Sequence, residues 1–136
     1  MDESILNRLN VLVKKTYYTY DRFEVDATFA LLYHAVPLSV VELSKYVRLS
    51  DHLMQLDEHH YFIIFAFTCE ENAYKASQNI IHKLDGYLND HSTCIAMDSL
   101  DPTKSPQHVL NRLKQIMSEI HRDAHVRIET EDILHR

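Results

Sequence analysis

Seven consecutive apolar residues, Tyr61-Phe62-Ile63-Ile64-Phe65-Ala66-Phe67, constrain this chain more than any other feature. A strand with one wet face alternates apolar and polar side chains, because successive side chains point to opposite faces; an unbroken run must be covered on both. The run is short for a helix and rich in aromatic and β-branched residues, so it predicts a central strand with layers above and below. Three amphipathic segments can supply those layers. From Asp2 to about Tyr20, Ile5, Leu6, Leu9, Leu12 and Val13 recur at intervals of three and four behind the acidic start Asp2-Glu3-Ser4. Glu70 to Leu88 carries the stripe Ala73, Ala76, Ile80, Ile81, Leu84 and Leu88, with Thr68 or Cys69 at the cap position, and Val109, Leu110, Leu113, Ile116, Met117 and Ile120 mark a further helix.

The remaining elements follow from shorter patterns. Phe23 to Tyr33, with Val25, Phe29, Leu31 and Leu32, reads as a first buried strand. Pro37 suits the first turn of a short helix in which Val40, Val41, Leu43, Tyr46 and Val47 share a side, ending near Leu49. His52 to Leu56 and the apolar run are separated by the polar quartet Asp57-Glu58-His59-His60, which predicts a β-hairpin. Thr93 to Met97 reads as a short strand, Asp98 to Pro106 as a polar loop and Val126 to Ile128 as an edge strand. The order is a helix, then β-α-β-β-α-β, then a helix and a strand, which predicts an α+β fold with a split βαβ, ferredoxin-like sheet. With 136 residues and no linker or repeat, one domain is expected over 1–136, with the N-terminal helix over 1–20 and an α/β core over 23–129.

Several function classes drop out. The one glycine, Gly86, cannot build a phosphate loop or a dinucleotide fingerprint, which need several glycines for close backbone approach. With 14 basic against 20 acidic residues and a net charge of -6, the chain lacks the electrostatic footprint for nucleic acid or an anionic membrane. No stretch approaches the apolar length of a membrane span. Cys69 and Cys94 are too few and too far apart for a disulfide framework or a metal knuckle, and the acidic start lacks the basic region of a secretory signal, so a cytoplasmic location is expected.

Around the hairpin, Arg48-Leu49-Ser50-Asp51-His52-Leu53-Met54-Gln55-Leu56-Asp57-Glu58-His59-His60-Tyr61-Phe62 resembles the signature region of GGDEF-type diguanylate cyclases. Ser50 and Asp51 match that pattern, Leu53 stands for its aliphatic position, Gln55 for its arginine and Tyr61 for its phenylalanine, with unbroken spacing. Thr68 and Ala73 fall where the family has a Thr and an Ala leading into the next helix. The resemblance implies a nucleotide-cyclase palm. It also exposes departures: Asp57, Glu58, His59 and His60 fill the positions of the Gly-Gly-Asp-Glu quartet. Tyr33 and His34 stand where the family places a metal-binding aspartate, and only Ala35 to Val47 is available for a segment that carries much of the family's substrate pocket. A side chain at either glycine position occupies the space where nucleotide approaches, and the loss of carboxylates removes metal ligands. The resemblance therefore implies a degenerate, shortened domain without cyclase activity or cofactor, acting as a regulatory or protein-interaction module in bacterial signalling through a partner protein the sequence does not identify.

Arg48 and Asp51 retain the RxxD spacing of the family's inhibitory cyclic di-GMP site, which implies a second reading as a cyclic di-GMP receptor. Arginine can make paired bonds to phosphate or a guanine edge, and a carboxylate accepts from guanine donors. The plainer reading is that the two residues close a helix end. A third reading is a small metal-dependent enzyme using His52, His59 and His60 with Asp57 and Glu58, but adjacent strand histidines face opposite ways, and a solvated hairpin tip is the plainer alternative. Cys69, ahead of Glu70 and Glu71, is placed for capping rather than nucleophilic catalysis. The tyrosines Tyr17, Tyr18 and Tyr20 leave two uses open for the N-terminal helix, packing on its own domain or forming a homodimer.

Overall fold

The computed structural model describes residues 2–23 and 26–135, without the side chains of Asp21 and Phe23. The elements are α1 (Glu3–Phe23), β1 (Ala27–Tyr33), α2 (Val40–Ser44), β2 (His52–Gln55), β3 (His60–Ala66), α3 (Glu70–Leu88), β4 (Cys94–Ser99), α4 (Pro106–His121) and β5 (Ile128–Glu129), followed by a 3₁₀ helix at Glu131–His135. The strands form one sheet in the order β2-β3-β1-β4-β5, antiparallel except for the parallel β4–β5 pair. This is the α+β, βαββαβ arrangement the sequence predicts.

The apolar run sits second from the edge and is covered on both faces. Phe62, Ile64 and Ala66 join Phe29 and Leu31 under α1 and α4, while Tyr61, Ile63 and Phe65 join Ala30 and Leu32 under α2 and α3. Strand parity divides one continuous apolar segment between two cores, which is why it carries no alternation.

Several boundaries differ from expectation. Helix α1 runs past Tyr20 to Phe23, so the core does not begin at 23 but at Ala27; Val25 lies outside the described residues. The buried stripe of α1 is Leu9, Val13, Thr16 and Tyr20, and Tyr17 meets Phe29 edge-on at 6.0 Å between ring centres. Tyr17 and Tyr20 thus pack on their own domain, whereas Tyr18 is 70% exposed. Helix α2 stops at Ser44 rather than near Leu49, and Val41 is exposed. Its start is fixed by Ser39, whose hydroxyl accepts from the Glu42 N–H at 3.0 Å, and Pro37 lies before that cap. Strand β3 ends at Ala66, leaving Phe67 outside it and exposed at φ 55°. Strand β4 continues through Asp98 and Ser99, which pair with Phe29 and Thr28 rather than entering the loop. Strand β5 is Ile128–Glu129 instead of 126–128, and the closing 3₁₀ helix has no counterpart in the sequence reading. Cys69 is the cap residue of α3 but makes no side-chain cap bond.

Candidate functional site

Two clusters identified in sequence lie at opposite ends of the β2–β3 hairpin, roughly 20 Å apart on the rise of a strand. At one end is the turn. His60 belongs to β3, so the turn proper is Leu56 to His59, closed by the Leu56 N–H donating to the His60 carbonyl at 2.9 Å. The Asp57 carboxylate accepts from the backbone N–H groups of His59 and His60, each at 2.8 Å, and pairs with His60 Nδ1 at 2.9 Å. Burial pushes the Asp57 carboxyl up, but the bonds from His59 and His60 outweigh it and hold it below the ordinary carboxylate value. Asp57 is the clamp of its own turn. Glu58 is exposed.

Behind the turn, β1 ends in Tyr33 and His34. His34 is fully buried, its Nδ1 is 2.7 Å from the Thr93 hydroxyl, and its Nε2 has no partner among the described residues. The His59 ring reaches back, with Nδ1 3.1 Å from the His34 carbonyl oxygen. The two imidazole residues therefore meet where the hairpin turn abuts the end of β1. Tyr33 packs against three imidazole rings, with centres 6.2 Å from His59, 5.4 Å from His60 and 4.8 Å from His121. His121, which the sequence leaves as ordinary surface, lines a cleft of about 350 Å³ with Asp57, His60, Lys114 and Ser118. No three His, Cys, Asp or Glu side chains among the described residues come together to hold a metal ion. The rings the metal reading needs are turned to Asp57 and to the His34 carbonyl instead.

Burial pushes the His34 imidazole below its ordinary pKa of 6.5, and burial followed by the neighbouring His60 does the same to His121. Both groups resist protonation when folded, so the unfolded chain takes up protons first as pH falls. Their contribution is full above the unfolded value and drains as pH drops from about 6.5 toward the folded values. The urea midpoint should fall between pH 7 and pH 5, and the non-titrating His34→Gln variant should show a smaller fall. An identical fall would remove His34 from this account.

At the other end of the hairpin, Arg48 and Asp51 bind each other. Arg48 donates from Nη2 to Asp51 Oδ1 at 2.8 Å and from Nε to Oδ2 at 3.2 Å, while Asp51 Oδ1 also accepts from the Ala66 N–H at 3.0 Å. Arg48 Nη2 continues to the Ala66 carbonyl at 2.7 Å and the Thr68 hydroxyl at 2.6 Å. The Asp51 side chain is 1% exposed and that of Arg48 is 55% exposed. The pair staples the segment before β2 to the end of β3. Phe67, between the two Arg48 acceptors, is 66% exposed and stacks on Tyr20 with ring centres 5.4 Å apart. Sequence reasoning placed Phe67 in the core strand and missed this exposed ring, because an apolar run carries no signal of the residue at which its strand ends.

No protein-family model matches the sequence, and no curated protein sequence does so either. Solved structures do. The GGDEF domain of DgcB from Caulobacter crescentus, in complex with c-di-GMP, superposes with a TM-score of 0.75 at 10% identity over 88% of this chain and 86% of that one. The chain has the fold of a GGDEF domain. The active GGEEF domain of a diguanylate cyclase from Vibrio cholerae gives 0.67 at 15% identity, covering 87% and 90%. The GGDEF domain of TpbB (YfiN) from Pseudomonas aeruginosa gives 0.69 at 15% identity, covering 96% and 92%.

Proposed function

We propose that this chain is a non-catalytic GGDEF-type module that regulates by binding a partner protein. The observation that carries the reading is the meeting of His34 and His59 at the end of β1. A cyclase of this fold holds divalent metal there through carboxylates, and magnesium demands near-octahedral oxygen ligands. Here one imidazole is buried and pushed below its ordinary pKa, the other rests on a backbone carbonyl with the exposed Glu58 carboxylate 4.0 Å from its Nε2, and Asp57 is engaged in closing its own turn. Phosphoryl transfer depends almost wholly on positioned metal and charge, so this substitution removes the catalytic term rather than weakening it. Incubation of the purified chain with GTP and magnesium, or manganese, should release neither pyrophosphate nor cyclic di-GMP above a protein-free control; turnover would overturn the reading.

A second reading, binding of cyclic di-GMP beside Arg48, is favoured by the Arg48 side chain, 55% exposed and bonded to Ala66 and Thr68, and by the exposed ring of Phe67 between those two residues, on which a base can stack. Asp51 contributes to it only by holding Arg48, since its carboxylate is buried.

A further inference from the structure

The free edge of β2 carries a built groove. Strand β2 ends the sheet, with β3 on one side and, among the described residues, no strand on the other. Along that open side, α1 and β2 enclose a cleft of about 480 Å³ lined by Arg8, Val11, Leu12, Lys15, Leu53 and Met54. A second cleft of about 400 Å³ continues it past Gln55 to Asp57, walled by Ile5 of α1 and Val40 of α2. Together they run beside about six residues of edge, the length of an ordinary strand. Unpaired edge groups are a template for another chain, and proteins usually blunt them with charge or cover. This edge has an apolar trough instead, in which Val11 is 53% exposed.

The charges identify the occupant. The chain is acidic overall at -6, and Arg48, Arg112 and Arg127 are all paired with carboxylates of the fold. Arg8 and Lys15 have no ion pair among the described residues, and both flank the trough, with His52 beside them. Unpaired cations along an apolar edge in an acidic protein complement a chain that alternates apolar and acidic side chains. A second copy would bring the same cations face to face across a two-fold axis, which like-charge repulsion opposes.

We infer that the β2 edge, with Arg8 and Lys15 as its basic rim, binds an extended acidic segment of a partner protein as an added strand. Backbone bonds to β2 would provide affinity, the trough would take alternate apolar side chains, and the cations would select acidic ones. This deepens the reading of the chain as a binding module and rests on it; GTP turnover would overturn that reading, whereas the following experiment addresses the edge alone.

The full chain is used to select from a random twelve-residue peptide library, and recovered peptides are synthesised and titrated. The expected peptides alternate apolar and acidic residues over about six positions. They should shift the amide resonances of His52–Gln55 and bind the Arg8→Glu/Lys15→Glu variant at least tenfold more weakly, while that variant keeps the unfolding midpoint of the parent. Peptides without acidic bias, shifts confined to other residues, or affinity unchanged in the double variant would each overturn the proposal. So would a dimer of the chain in sedimentation that blocks the edge, since the occupant would then be a second copy.

Discussion

Replacing Arg112 with Met is expected to cost about 3 to 5 kcal/mol of folding stability, the scale for leaving a buried carboxylate without its counter-ion. The Asp98 side chain is 3% exposed, and Arg112, itself 17% exposed, donates to it from Nε at 2.8 Å. The same guanidinium binds Glu131 through Nη2. One cation thus holds two carboxylates and joins β4, α4 and the closing 3₁₀ helix. The crowding is visible in Glu131, whose carboxyl is pushed up first by burial and then by Asp98. Met keeps much of the apolar volume of the arginine stem, so the loss measured by urea unfolding at pH 7 reports the charge and its hydrogen bonds. The Asp98→Asn/Arg112→Met variant should recover part of the loss, because the fully buried carboxylate is then gone and only the partly exposed Glu131 is left without its counter-ion. A cost below about 1 kcal/mol for Arg112→Met would place this cluster among ordinary surface pairs.

That cluster also shows where a sequence stops speaking. Patterns that repeat within one element were legible: the apolar run of β3, the stripes of α3 and α4, and the hairpin between two apolar segments. Each reports which face of a local structure meets water. Asp98 sits in a stretch of Asp, Ser and Pro that reads as loop, and only Arg112, fourteen residues on, allows it to finish a buried strand. Arg127 and Asp85 are forty-two residues apart and join through two bonds of 2.6 and 2.8 Å, yet nothing near either residue announces the other. The site divides the same way. The fold was legible through element order and the spacing around Ser50 and Asp51, and Asp57-Glu58-His59-His60 was legible as a polar hairpin turn. The burial of His34 was not, because a lone histidine after an apolar strand is equally at home in water or under a loop. Nor was the exposure of Phe67, since an apolar run does not mark the residue at which its strand ends.

Arg48→Ala is expected to lower stability by about 2 to 3 kcal/mol with no nucleotide present, through the loss of charge-assisted bonds to a carboxylate that stays buried. Asp51 keeps its backbone donors, the N–H groups of Arg48 and Ala66, which limits the cost, and the exposure of Arg48 limits it further. The consequence bears on the cyclic di-GMP reading. If Arg48 staples the loop before β2 to β3, its removal disturbs any ligand surface nearby, so lost binding in Arg48→Ala does not separate a contact from a support. Phe67 does separate them: it lies outside the ladder, and its side chain takes no part in the Arg48–Asp51 bonds. A receptor that stacks a guanine on this ring should bind cyclic di-GMP at least fivefold more weakly as Phe67→Ser, the lower end of the roughly 1 to 3 kcal/mol such stacking contributes, with Arg48 and Asp51 untouched. Calorimetric heat that survives Phe67→Ser moves the ligand elsewhere, and no heat from the parent leaves Arg48 with the staple as its role. An Arg48→Ala chain as stable as the parent would mean the reverse: an ion pair that contributes nothing to the fold and an arginine free to serve a ligand.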